Sequence, residues 1–255
     1  MNNGYEYYYL FGLDIPLEQY RLGTIKQPKL IDYLSKDINI ESFYMPFVMN
    51  DVMIGQLETP SLGYELKEKI GSLTFLMSNC LRSNKLEIIA LLLNSIKIIY
   101  DTDDVDVSNE GNIKVKDIVI SNSNFDTLCS IVLEMLKIDK SKMKFDKVDK
   151  KELSDIEREF ERRRIAYEQK TASKKQDGLS FSDIANMLIH ENGIDYEKVL
   201  NMTIYQIKNS YEITSRKESY EFNLLHRISP KFDMSKEKFE HWKEKTKLDK
   251  SALSQ

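Results

Sequence analysis

Histidine, cysteine, glycine and proline are all scarce, at 3, 2, 9 and 5 residues in a chain of 255. Each shortage removes a class of chemistry. His190, His226 and His241 fall on predicted C-terminal helices, none with a second histidine or a carboxylate at ligand spacing, and no HExxH pattern occurs. Cys80 and Cys129 stand apart inside apolar helical patterns, without a CxxC pair or a neighbouring histidine. They read as buried reduced thiols acting as small hydrophobes, rather than as a disulfide or a metal pair. The scattered glycines form neither a phosphate-cradling loop nor a GxSxG elbow. The expectation is a protein with no catalytic residues, no metal and no cofactor.

Long apolar runs are also missing. No stretch reaches the roughly eighteen uninterrupted apolar residues of a spanning helix. Met1 is followed by asparagines, a glycine and a tyrosine cluster, not by a basic region and an apolar one. The cytosol, or a particle assembled there, is the expected location, with no membrane partner. The acidic run Asp101 to Asp106 invites a calcium reading, but an EF-hand loop counted from Asp101 needs Gly and Glu where Asp106 and Asn112 stand. It reads as a solvated turn.

What is present is helical pattern and charge. Apolar residues make up 41% and charged residues 31%, a wet surface over enough core for one large or two small domains. Of 37 Lys and Arg and 41 Asp and Glu, residues 1–135 hold 11 and 19. The remainder holds 26 and 22. The acidic front and mildly basic back suggest two modules, and the basic half is too mixed in sign for a nucleic-acid footprint.

Along the chain, Tyr5 to Phe11 is β-prone by its aromatics and predicts a strand, with Leu17 to Ile25 returning beside it as a small edge sheet. Gln27-Pro28 opens a short helix with Leu30, Ile31 and Leu34 on one face. Phe43, Tyr44, Met45, Phe47 and Met49 form a dense apolar patch around Pro46. It reads as a packed loop or helix end, or, if exposed, as an adaptable partner surface. Leu62, Leu66, Ile70, Leu73 and Leu76-Met77 mark a single helix after Pro60. Asn84 caps another through Tyr100 whose centre is apolar all round, the domain's central buried element. Asn112 to Ile120 predicts a strand or hairpin, and Asn124 a helix facing inward with Leu128, Ile131, Val132, Met135 and Leu136.

Composition changes at Lys137 to Lys175, with 14 Lys and Arg, 9 Asp and Glu, and neither Gly nor Pro. A sparse stripe of Leu153, Ile156, Phe160 and Tyr167 predicts a charged connecting helix able to seat one amphipathic helix of a partner. Arg162-Arg163-Arg164 suggests phosphate binding, yet the surrounding glutamates make i,i+4 pairing on a solvated helix the plainer reading. After a polar joint at Thr171 to Gly178, Ser180 and Asp183 have capping-box spacing, and Phe181, Ile184, Ala185, Leu188 and Ile189 lie on one helical face. Asn192-Gly193 stops that helix. Asp195 caps a short turn, Thr203 and Gln206 open a long helix, and Phe239 and Trp242 mark a last one.

The pattern Gly12-Leu-Asp-Ile-Pro16, then Ile25-Lys-Gln-Pro28 and a short helix, resembles proteins of tail-gene clusters in phages and prophages of Gram-positive bacteria. So do Asn124-Phe125 with its helix, Leu200 to Ile207, Tyr211, Arg216 to Tyr220, and Trp242. That resemblance implies a role in tail assembly, as a chaperone of the long apolar tape-measure protein or as a structural tail component.

The expected fold is therefore α+β and mainly helical, as an N-terminal α+β domain (1–136), a charged connector (137–178) and a C-terminal helical module (179–255). The expected function is non-catalytic binding of tape-measure or other tail tube and baseplate components during virion morphogenesis, with self-association allowed. The alternatives are a permanent part of the tail or baseplate, and an intracellular regulator binding a host protein or nucleic acid. Leu153, Ile156, Phe160 and Tyr167, or Phe43, Tyr44, Met45 and Phe47, are the candidate partner-binding residues.

Overall fold

A computed structural model describes residues 4–140, 143, 181–228, 241 and 243. Helix α1 (Glu6–Phe11) leads into a two-stranded antiparallel ribbon, β1 (Ile15–Pro16) and β2 (Thr24–Ile25), in which Ile15 pairs with Ile25. Five helices follow: α2 (Leu30–Ser35), α3 (Ile40–Gly55), α4 (Pro60–Ile70), α5 (Ser72–Arg82) and α6 (Leu86–Tyr100). Strands β3 (Val105–Val107), β4 (Ile113–Val115) and β5 (Ile118–Ile120) make an antiparallel meander in that order. Then come α7 (Phe125–Met135), α8 (Phe181–Asn192), α9 (Tyr196–Leu200) and α10 (Ile204–Ile228). The fold is α+β and mainly helical.

The core forms where α3 lies between α6 and α7. Phe43 and Phe47 of α3, Leu92, Ile96 and Ile99 of α6, and Leu128 and Val132 of α7 are all buried. α6 is the central element its sequence predicts, although Leu86 at its start is exposed. Pro46 sits inside α3, where it has no N–H for the carbonyl of Ser42. The helix persists because its surroundings stabilise it. Ser95 of α6 points its Oγ at the Phe43 carbonyl, 2.8 Å away, inside the core.

The structure corrects several readings of the front half. Asn84 does not cap α6: it is left-handed, and Lys85 holds the N-cap position without a side-chain bond. Of Leu17 to Ile25 only Thr24–Ile25 is a strand, and Glu18–Tyr20 is a short helical turn. Tyr5 to Phe11 is not a strand; α1 places Tyr5 and Tyr9 four apart, and both are buried. Gly12 ends it in the left-handed conformation, with its N–H bonded back to Tyr9. The single helix expected over Leu62 to Met77 is two, broken at Gly71, whose φ of 87° and ψ of 150° only glycine adopts easily.

Among the C-terminal helices some sequence signals are met and one is not: Asp195 stands at the start of α9 but makes no side-chain cap hydrogen bond. Gly193 is left-handed after α8. At the start of α10, Thr203 N–H donates to Gln206 Oε1 at 2.9 Å and Gln206 N–H to Thr203 Oγ1 at 3.3 Å, a complete capping box. Asn192 of α8 donates to Thr214 of α10 at 3.0 Å.

This part seats directly on the front of the chain. Lys29 and Thr203 form an antiparallel bridge, and Leu30 N–H donates to the Met202 carbonyl at 2.9 Å. Gln206 Nε2 reaches the Leu10 carbonyl at 3.1 Å, passing where a Cβ on Gly12 would stand. Tyr9 and Tyr205 stack at 5.4 Å, and Lys137 Nζ bonds Glu212 at 2.7 Å. Ile204 and Ile207 of α10 share one apolar core with Tyr9 and Leu136. The predicted connecting helix, the Ser180 cap and the helix of Phe239 and Trp242 lie outside the described residues.

Candidate protein-binding groove

α4 begins with Pro60 at its first turn, where a missing N–H is harmless. It rests on the end of α3 through Gly63. A Cβ there would lie 2.7 Å from Leu57 Cδ1 and 3.1 Å from Ile54 Cγ2, so the two helices approach at a distance no larger residue allows without movement. With Pro60 and Gly63 buried, Leu62 and Leu66, one turn apart, are turned outward and are 63% and 44% exposed.

Between α4, the end of α3 and α5 lies an open groove of about 440 Å³. Met53, Leu57, Leu62, Leu66 and Phe75 supply its apolar lining, and Glu58 and Lys85 add one charge of each sign. Leaving a leucine in water rather than covered forgoes about 1.5–3 kcal/mol, so this row is a reserve of association energy.

On α3 a buried carboxylate ties three segments together. Asp51 of α3, its side chain 8% exposed, pairs with Lys140 at 2.5 Å and with Lys67 of α4 at 3.8 Å. Tyr64 lies close by, and burial first, then the Asp51 charge, raise its phenol above the ordinary value. One helix away, Ser72 Oγ donates to Asp126 at 2.8 Å and Asn50 Nδ2 to the Ser72 carbonyl at 2.9 Å.

Cys80 and Cys129 are buried free thiols, and burial pushes both away from the reactive thiolate. Among the described residues, no group of three or more His, Cys, Asp or Glu could hold a metal ion. No helix among them is long and apolar enough to cross a membrane.

The residues expected to bind a partner fare differently. Phe43 and Phe47 are buried at 1% and 4%, while Tyr44 and Met45 are half-buried against the same core. Phe43 and Phe47 therefore belong to the core, whereas Tyr44 and Met45 keep part of their surface exposed. Leu153, Ile156, Phe160 and Tyr167 lie outside the described residues. Sequence reasoning missed Leu57, Leu62 and Leu66. Periodicity told that α4 has an apolar stripe, but not that Gly63 would take the inner position and leave the leucines outside. A second exposed set stands near the end of α10, where Phe222, Leu224 and Leu225 are 59%, 40% and 62% exposed.

Residues 172–247 match the family model described as YomV second domain. The match suggests a phage-associated family. It covers less than a third of the chain, beginning inside the polar joint at 171–178 and including α8, α9 and α10, but none of the groove. No curated protein and no solved structure matches the chain.

Proposed function

We propose that this protein is a non-catalytic phage tail-assembly factor that seats an amphipathic helix of a tail component, the tape measure foremost, in the groove beside α4. The observation that carries the reading is the outward row of Leu62 and Leu66 over an apolar floor of Met53 and Phe75. Two leucines one turn apart fit the i, i+3/i+4 anchors of a helix laid along them. A volume of about 440 Å³ accommodates the few side chains such a helix presents. The match over 172–247 supports the phage setting, and the resemblance of the N-terminal and C-terminal motifs supports the tail.

The test is made in cells producing the phage, with the protein replaced by Leu62→Ser/Leu66→Ser. Full-length tails counted by electron microscopy should fall sharply while the level of folded protein stays the same. Normal tails would remove the groove from assembly. Purified particles distinguish the two tail roles: a chaperone is missing from them, whereas a permanent tail or baseplate component is retained in stoichiometric amount.

A further inference from the structure

We propose that the projecting end of α10 in one copy of this chain seats in the α4 groove of a second copy, where a tail helix displaces it. This deepens the reading of the groove as a helix-binding site and rests on it.

The packing face of α10 outruns its cover. Ile204, Ile207 and Thr214 are buried, and Asn192, the last residue of α8, meets the helix at Thr214. At spacings of three and four the same face continues through Glu218 to Phe222 and Leu225. There the five consecutive residues from Glu221 to Leu225 are all exposed. Five successive helical positions point in every direction around the axis, so this end stands clear of the other described elements. Phe222 and Leu225 are thus a pair of apolar anchors at i and i+3, the pattern a helix-binding groove reads.

Groove and helix end are graded alike. Among the groove residues flanking Gly71 in the chain, Leu66 and Phe75 stand nearest that break, and Glu58 and Lys85 farthest from it. One end is therefore apolar and the other charged. In α10 the charged Lys217, Glu218 and Glu221 precede Phe222 and Leu225. With Phe222 and Leu225 against Leu62, Leu66 and Phe75, those charges fall at the charged end of the groove. A bond from Glu191, then desolvation, then the charges of Glu191 and Glu221 raise the Glu218 carboxyl above its ordinary value. Lys85 brought alongside relieves that crowding. Lys217 is likewise opposite in sign to Glu58. Its pair with Glu221, at 3.8 Å between exposed side chains, is weak enough to exchange.

Each copy offers one groove and one helix end, so the contact is heterologous and builds rings or open chains. An interface this small is a weak one, suited to release.

Sedimentation of the purified full chain from micromolar to millimolar concentration tests this. The native chain should gain mass as concentration rises. Leu62→Ser/Leu66→Ser and Phe222→Ser/Leu225→Ser should each associate at least about tenfold more weakly. Mixed in equal amounts, the two variants should form a dimer and nothing larger, because the first supplies the helix end and the second the groove. A native chain that stays monomeric overturns the proposal, as does a variant that associates like the native chain or a mixture that stays monomeric. Should either double variant fold poorly, Lys85→Glu leaves both apolar faces alone and should weaken association by roughly two- to fivefold. Unchanged association in Lys85→Glu would equally overturn the proposal. Self-association beside a failed tape-measure titration sinks the tail reading alone, whereas a monomeric chain that binds the tape measure sinks this proposal alone.

Discussion

The carboxamide of Asn122 fills the space that a side chain on Gly71 would need: a Cβ there would lie 2.3 Å from Asn122 Cγ. The same carboxamide bonds both helices at the break. Its Nδ2 donates to the Ile70 carbonyl and to Thr74 Oγ1, and its Oδ1 accepts from Thr74 N–H. Gly71 is thus fixed twice, by its backbone conformation and by the loop that caps the break.

Gly71→Ala should therefore destabilise by about 2–4 kcal/mol, combining backbone strain with overpacking. A chemical melt should show it as a lower midpoint at unchanged slope. A loss below about 0.5 kcal/mol would mean that α4 and α5 can join as one continuous helix.

That break shows what the sequence could and could not disclose. Leu62, Leu66, Ile70, Leu73 and Met77 keep helical spacing straight across Gly71, so periodicity alone predicts one helix. Thr203 and Gln206, in contrast, declare the start of α10 locally, because both hydrogen bonds of the box are made within four residues. Six-residue α1 was hidden by β-prone tyrosines, and burial of Tyr5 and Tyr9 against partners distant in sequence overrides that propensity. The groove was illegible for a related reason. A stripe of leucines shows that a helix has an apolar face, but only the fold shows whether anything covers it.

Cleavage in the polar joint at 171–178 should leave two fragments that remain together. Their contact includes the Lys29–Thr203 bridge, the Tyr9–Tyr205 stack, the Lys137–Glu212 pair and the buried Ile204 and Ile207. Gel filtration after limited proteolysis should give one peak containing both. Two separate peaks would show that the C-terminal module stands alone and only touches the front of the chain.

Tyr9 and Glu134 should give stability a pH dependence. Tyr9 Oη donates to Glu134 at 3.1 Å. Burial raises the Glu134 carboxyl above the usual range, and the Tyr9 bond only partly offsets this. A carboxyl whose folded pKa is raised contributes most below its unfolded pKa, and that contribution is lost as pH rises through the folded value. Glu134→Gln keeps an acceptor for Tyr9 without the charge. Its melting temperature relative to the native chain should climb between about pH 4 and pH 7. A difference that stays flat or falls over that range would show that burial is not what governs this carboxylate.

The central claim is that the row of Leu62 and Leu66 binds an amphipathic helix of the tail. Titration of the purified full chain with the purified tape-measure protein of the same phage, followed by calorimetry, tests it most directly. The native chain should bind, and Leu62→Ser/Leu66→Ser should bind at least about tenfold more weakly, as the loss of two anchors implies, with its melting temperature unchanged. Equal affinity for both, or no binding by the native chain, would contradict the account.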